Sequence, residues 1–169
     1  MPEEDCLTTY DKSVVIPSLG LGAGSRRPHR YAEGRLMNTI TGGCLCGRVR
    51  YTVTGEPIRS YVCHCRDCQR ATAAPLAAGI AVPAGAVHVQ GELKTFGMAG
   101  GSGQTVHRNF CPNCGSWVTG SANPDFISVL VGTLDDPNLF EPEFEQFFGS
   151  AQRWMHAGGD RVRYPGRRT

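Results

Sequence analysis

Seven of the eight cysteines in this 169-residue chain fall into three short clusters, Cys44-x-Cys46, Cys63-His64-Cys65-x-x-Cys68 and Cys111-x-x-Cys114. Thiols at this spacing suit gripping a metal ion rather than pairing as disulfides. A structural zinc site is closed by four protein ligands, whereas a catalytic one uses three and keeps a position for an exchangeable ligand. Seven cysteines match four plus three. Cys111 and Cys114 can chelate one ion from a tight turn, and Gly115 permits the positive φ that such a turn often needs. Cys44 and Cys46, followed by Gly47, offer the same arrangement with a shorter bite. Neither pair completes a tetrahedron, and neither has a histidine at zinc-finger spacing, so each can complete the other.

The middle cluster, Cys63, Cys65 and Cys68, places three thiols within six residues. Zinc held there would keep a fourth position, which invites a thiol substrate. It would hold that thiol, whose pKa is ordinarily about 8.5, as thiolate at neutral pH, and it could polarise a carbonyl. Three thiolates around a divalent ion leave a net negative charge, so Arg66, Arg70 and Arg108, all near in sequence, are candidates for drawing in an anionic ligand. The same three cysteines also suit a second structural metal or a metal-free redox site. Strand alternation should turn His64 away from the ligands on either side of it. His107 reads as an ordinary strand residue. Cys6 reads as a free thiol, though it would close the middle site if it reached it.

These clusters need elements to hold them. Glycine (22) and proline (11) are plentiful, which suits short strands joined by turns and predicts a mainly β protein. Val49, Tyr51 and Val53 alternate with Arg50, Thr52 and Thr54, the period-2 pattern of a half-buried strand. Residues 58–62 read as its return strand, delivering the middle cluster, with a helical turn over 66–71. Leu76, Ala78, Ile80 and Val82 mark one face of a further strand. Others begin at Val87 and Leu93, run over 105–110 into Cys111, and run over 126–131, with a hairpin tip at residues 100–103. Phe144, Phe147, Phe148 and Trp154 are expected to cover the core.

With 40% hydrophobic and 19% charged residues and a formal net charge of +2, the chain carries no bias towards nucleic acid or membrane. No apolar run approaches the roughly 20 residues that span a bilayer. The first thirty residues lack a signal-peptide pattern, so a cytoplasmic location is expected, where clustered cysteines read as metal ligands or redox groups.

Taken in order, Gly42-Gly43-Cys44-Leu45-Cys46-Gly47, Tyr51, Cys63-His64-Cys65-Arg66-Asp67-Cys68-Gln69-Arg70 and Phe110-Cys111-Pro112-Asn113-Cys114-Gly115 resemble the glutathione-dependent formaldehyde-activating enzyme family, also called the domain family of centromere protein V. The resemblance runs from about Thr39 to Asp136 and on through Trp154. It implies a β-tent fold of antiparallel sheets, related to that of methionine-R-sulfoxide reductase type B. It implies two zinc ions per chain, a structural one on Cys44, Cys46, Cys111 and Cys114 and a second, catalytic one on Cys63, Cys65 and Cys68. The implied activity condenses formaldehyde with glutathione to S-(hydroxymethyl)glutathione, a carbon–sulfur lyase reaction run in reverse, so the partners would be a small thiol such as glutathione and an aldehyde.

Three segments are expected: an N-terminal extension over 1–36, the zinc-binding domain over 37–157, and a basic C-terminal tail over 158–169 containing Arg161, Arg163, Arg167 and Arg168. Two other classes of function fit the same residues. One is a non-catalytic zinc-binding scaffold, and the other is a thiol redox or metal-buffering protein.

Overall fold

A computed structural model describes residues 39–101, 103–155 and 160–168. The expected N-terminal extension and Cys6 lie outside the described residues. The chain runs through β1 (Ile40–Gly43), β2 (Arg50–Val53), β3 (Arg59–Cys63), α1 (Arg66–Thr72), β4 (Ala77–Pro83), β5 (Val87–Gln90), β6 (Lys94–Ala99), β7 (Thr105–Phe110), β8 (Trp117–Asn123), β9 (Phe126–Leu130), β10 (Phe144–Gln146) and β11 (Val162–Arg163). The protein is mainly β, as composition implied. A small antiparallel sheet has the order β1-β2-β5, and a large one has the order β11-β10-β3-β4-β9-β8-β7-β6. The large sheet is mixed, because β10 lies parallel to both β3 and β11.

The period-2 pattern of β2 is obeyed. Tyr51 and Val53 are buried while Arg50 is exposed, and Val49 just before the strand is buried too. The expected hairpin with β3 does not form. β2 pairs instead with β1 and β5, whereas β3 pairs with β4 and β10. The turn at Gly55-Glu56-Pro57 carries the chain from one sheet to the other, and the Ile58 N–H enters the large sheet by donating to the Ala81 carbonyl at 2.7 Å. In β4, Ile80, Ala81 and Val82 are all fully buried, so this central strand is covered on both faces and cannot show the one-sided alternation expected of it.

The core lies between the two sheets. Val49, Tyr51 and Val53 from the small sheet meet Ile80, Val82, Val118 and Val129 from the large one. Fully burying side chains of this size stabilises by about 1.5–3 kcal/mol each before entropy is counted. Cys44 and Cys111 are members of the same cluster, so the outer cysteine pairs are anchored in the core. β1 was not legible, since Ile40 is its only large apolar residue. What holds it is close approach: a Cβ on Gly42 would overlap the Thr133 carbonyl oxygen and the Tyr51 hydroxyl. Gly42→Ala is therefore expected to lower stability by about 1–3 kcal/mol through overpacking, read as a reduced melting temperature of the metal-loaded protein. Among the described residues no helix is long and apolar enough to cross a membrane.

Candidate metal centres and the adjoining cavity

The sulfur atoms of Cys44, Cys46, Cys111 and Cys114 all lie within 4.8 Å of one another, although 65 residues separate Cys46 from Cys111. Two similar turns produce this convergence. The Gly47 N–H donates to the Cys44 carbonyl at 3.1 Å and the Gly115 N–H to the Cys111 carbonyl at 2.9 Å. Both glycines have the positive φ, 76° and 72°, that other residues resist. Serine 116 stitches the turns together, its hydroxyl accepting from the Leu45 N–H at 3.1 Å and lying 3.3 Å from the Cys114 sulfur. The Cys44–Cys46 and Cys46–Cys111 sulfur separations are 3.5 and 3.7 Å, well beyond a disulfide bond of about 2.05 Å.

The surroundings favour thiolate at Cys114 and Cys46 but not at Cys111, which is pushed up to about 11, where the Cys114 N–H lowers it but burial and the neighbouring Cys114 and Cys44 thiols prevail. Cys114 is drawn down to about 5, first by the Ser116 hydroxyl and then by the backbone N–H groups of Ser116 and Cys46. Cys46 is lowered as well, chiefly by the Arg48 N–H. The Val49 N–H donates to the Cys44 sulfur at 3.3 Å. N–H groups aimed at clustered sulfurs are the setting that a cation needs in order to bind them.

Cys63 closes β3, Cys65 caps α1 and Cys68 lies in its first turn, and their three sulfurs also fall within 4.8 Å of one another. Cys63 is buried while Cys65 and Cys68 are half-buried. Cys65 is held down to about 2, first by hydrogen bonding with Cys63, then with Cys68, aided by the Cys68 and Asp67 N–H groups. The opposite pressure falls on Cys63, which is pushed up by its bonds to Cys65 and Cys68 and by burial. Cys68 is pushed up to about 12. Its bond to Cys63 lowers it, but its bond to Cys65, burial and the Cys65 charge prevail, with the Arg108 charge opposing. Binding an ion at the middle cluster must expel the thiol protons that its sulfurs carry. His64 faces away, as alternation predicted, with its Nε2 donating to Glu145 at 2.8 Å.

The large sheet turns one face to the core and the other to a cavity of about 190 Å³ that contains the middle cluster. In β3, Arg59 and Tyr61 share the cavity face with Cys63, at the i, i+2, i+4 spacing that could have revealed Arg59 from sequence. Tyr61 donates to the Ser128 hydroxyl at 3.0 Å, and burial pushes its pKa up to about 12, so it remains a neutral hydroxyl. Of the three sequence-nominated cations only Arg108 lines the cavity, while Arg66 bonds Gln69. Arg108 is 7% exposed, its Nε and Nη1 are buried without hydrogen-bond partners, and its guanidinium sits 5.4 Å from the centre of the Trp117 ring. His107 falls on the opposite face of β7, beside a separate shallow hollow.

The aromatic tail does not simply cover the core. Phe144 and Phe147 line the cavity, and Trp154 is 65% exposed. The C-terminal arginines divide. Arg167 and Arg168 line the cavity, whereas Arg161 and Arg163 approach Glu145 at 3.4 and 3.5 Å. Glu145 is 2% exposed and also accepts from His64, so it ties β10 to the chain that leads from β3 into the middle cluster and to β11. Glu145→Ala should cost roughly 3 kcal/mol, read as a lower denaturant midpoint, because it strands a buried histidine and an arginine. Burial raises the Glu145 pKa, but His64 and Arg161 outweigh it and hold it below its ordinary 4.5. The stability it contributes is therefore present above that value and declines as the pH falls below it.

A mainly β protein with one four-cysteine cluster rooted in its core through Cys44 and Cys111 and a three-cysteine cluster opening on a cavity defines the class, a sheet scaffold that could carry metal ions. Residues 39–150 match the family described as glutathione-dependent formaldehyde-activating enzyme, and the chain belongs to that family. A crystal structure of a Rhodobacter sphaeroides protein, a structural-genomics target, is 24% identical, with the match covering 60% of this chain and 96% of that one at a TM-score of 0.47. No curated protein matches the chain.

Proposed function

We propose that the protein is a zinc-dependent carbon–sulfur lyase-type enzyme of the cytoplasm that acts on a thiol adduct, joining formaldehyde to glutathione as S-(hydroxymethyl)glutathione and reversing that step. The observation that carries this reading is the middle cluster, where three convergent sulfurs open on a cavity and, among the described residues, no fourth ligand joins them. Zinc suits the first cluster: a zinc–sulfur bond of about 2.3 Å gives tetrahedral sulfur–sulfur edges of about 3.8 Å, close to its 3.5 and 3.7 Å spacings, and the middle three sulfurs converge within 4.8 Å. Cys44, Cys46, Cys111 and Cys114 would hold a structural ion and Cys63, Cys65 and Cys68 a catalytic one.

Bound to the middle cluster, zinc would keep an incoming thiol as thiolate at neutral pH and polarise a carbonyl. The chain's own residues supply the rest. Trp117, Phe126 and Phe144 give the cavity apolar walls that exclude water, and Arg59 and Arg108 offset the charge of an arriving anion. In the reaction the thiol sulfur bonds to the formaldehyde carbon, the carbonyl π pair moves to oxygen, and that oxygen takes the proton that the thiol gives up. No redox partner is needed. Free, clustered thiols persist in a reducing compartment, which supports the cytoplasmic assignment.

Magnetisation-transfer NMR on a mixture of formaldehyde, glutathione and their adduct tests this. Fully metallated protein is expected to accelerate exchange among the three in proportion to its concentration. An unchanged exchange rate would overturn the formaldehyde reading.

A further inference from the structure

We propose that Arg108 is a carboxylate receptor, and that the thiol admitted to this cavity must carry a carboxylate. The proposal rests on the reading of the cavity as a thiol site and adds the feature by which the thiol is selected. Arg108 lies on β7, in a different part of the large sheet from the strand that ends in Cys63, yet both face the same cavity. Arg108 is more than nine-tenths buried, and among the described residues two of its guanidinium nitrogens have no acceptor. Burying such a group unpaired is costly, and proteins retain that arrangement where a ligand supplies the missing acceptors.

The local architecture keeps those donors free. The Trp117 ring, 5.4 Å from the guanidinium carbon, is a cation–π neighbour that supplies no hydrogen-bond acceptor and so leaves Nε and Nη1 unpaired. In the neighbouring strand Arg108 is paired with Gly120, where a Cβ would press on Trp117 at 3.2 Å, so the glycine preserves the position of the ring. The remaining charged lining has the same sense: Arg59, Arg167 and Arg168 against Asp67. Arg59 and Arg168 rest on aromatic rings, Phe126 and Phe144, at 4.7 and 4.5 Å. Arg108 alone among these four is fully enclosed and offers two unpartnered buried nitrogens. A planar fork of donors matches a carboxylate, the acceptor most thiol metabolites carry.

The competing role for Arg108 is to balance the charge of the cysteine cluster, and ligand pairs separate the two. Binding of 3-mercaptopropionate and 3-mercaptopropionamide, and of glutathione and its glycine monoethyl ester, is followed by fluorescence. Trp117 lies in the cavity wall and the other of the two tryptophans, Trp154, is on the surface. In the zinc-loaded protein at least one acid should bind about 10- to 100-fold more tightly than the amide or ester that lacks its carboxylate. Arg108→Gln should erase that preference while zinc content stays unchanged. If neither acid is preferred, or if the preference survives in Arg108→Gln, the assignment is overturned. The same holds if Arg108→Gln loses zinc and the wild type shows no preference, which would mark a counter-charge. Should Arg108→Gln fail to fold, the wild-type comparison still decides. Acid preference without accelerated formaldehyde exchange would keep Arg108 and remove the formaldehyde reading. Acceleration without acid preference would do the reverse.

Discussion

Cys111→Ser is expected to leave little folded protein. The side chain is 1% exposed and belongs to the core cluster, and its backbone N–H is fixed on the Ser116 carbonyl at 3.0 Å. Its sulfur is also one of four that bring together turns about 65 residues apart in sequence, next to β1 and between β7 and β8. Structural zinc contributes on the order of 10–16 kcal/mol of binding energy in small zinc domains, while whole domains are stable by only about 5–15 kcal/mol. A serine oxygen is a poor replacement for thiolate towards zinc, so most of that coupling is lost and an unpaired hydroxyl is left in the core. Circular dichroism of the variant should show no cooperative melt. A strong chelator should bring the wild type to the same state, and excess zinc should not rescue the variant.

Cys68→Ser should behave in the opposite way. Cys68 is half-buried in the first turn of α1, and the contacts that fix this turn do not require its sulfur: the Cys68 carbonyl accepts from Thr72 at 2.9 Å, and Gln69 holds the His64 carbonyl at 2.7 Å. The variant should stay folded and melt cooperatively, losing only the stabilisation that zinc bound at this one site supplies. Zinc should fall from two ions per chain to one, and formaldehyde–glutathione exchange should drop to the uncatalysed background. The contrast between the two variants is the informative result. Equal unfolding by both would refute the division between a fold-holding cluster and a substrate-facing one.

The convergence of the cysteines into two clusters was the most legible part of the molecule, because cysteine spacing of two or three residues reports a turn geometry that needs no knowledge of the fold. Strands with one-sided alternation, such as β2, were also readable. β8 was not, since Trp117, Gly120 and Ser121 break its pattern where the strand carries irregular pairing. The partner of β2 was misread for a related reason: the Gly55-Pro57 turn looks like a hairpin, but it transfers the chain between sheets. Arg108 could be nominated from its place near Cys111, but not its aim, because only the assembled sheet brings β7 and β3 to one cavity. Glu145 carried no sequence signal at all. Its role depends on a parallel pairing between short strands, and pairing at that distance in sequence leaves no periodic trace.

Metal analysis joined to zinc X-ray absorption tests the central claim most directly. The account predicts two zinc ions per chain with seven protein sulfurs shared between them, hence an average of about 3.5 sulfurs per zinc that rises to about 4 when a carboxylate-bearing thiol is added. A single zinc per chain, or two zincs already at four sulfurs each before any thiol is present, would contradict it.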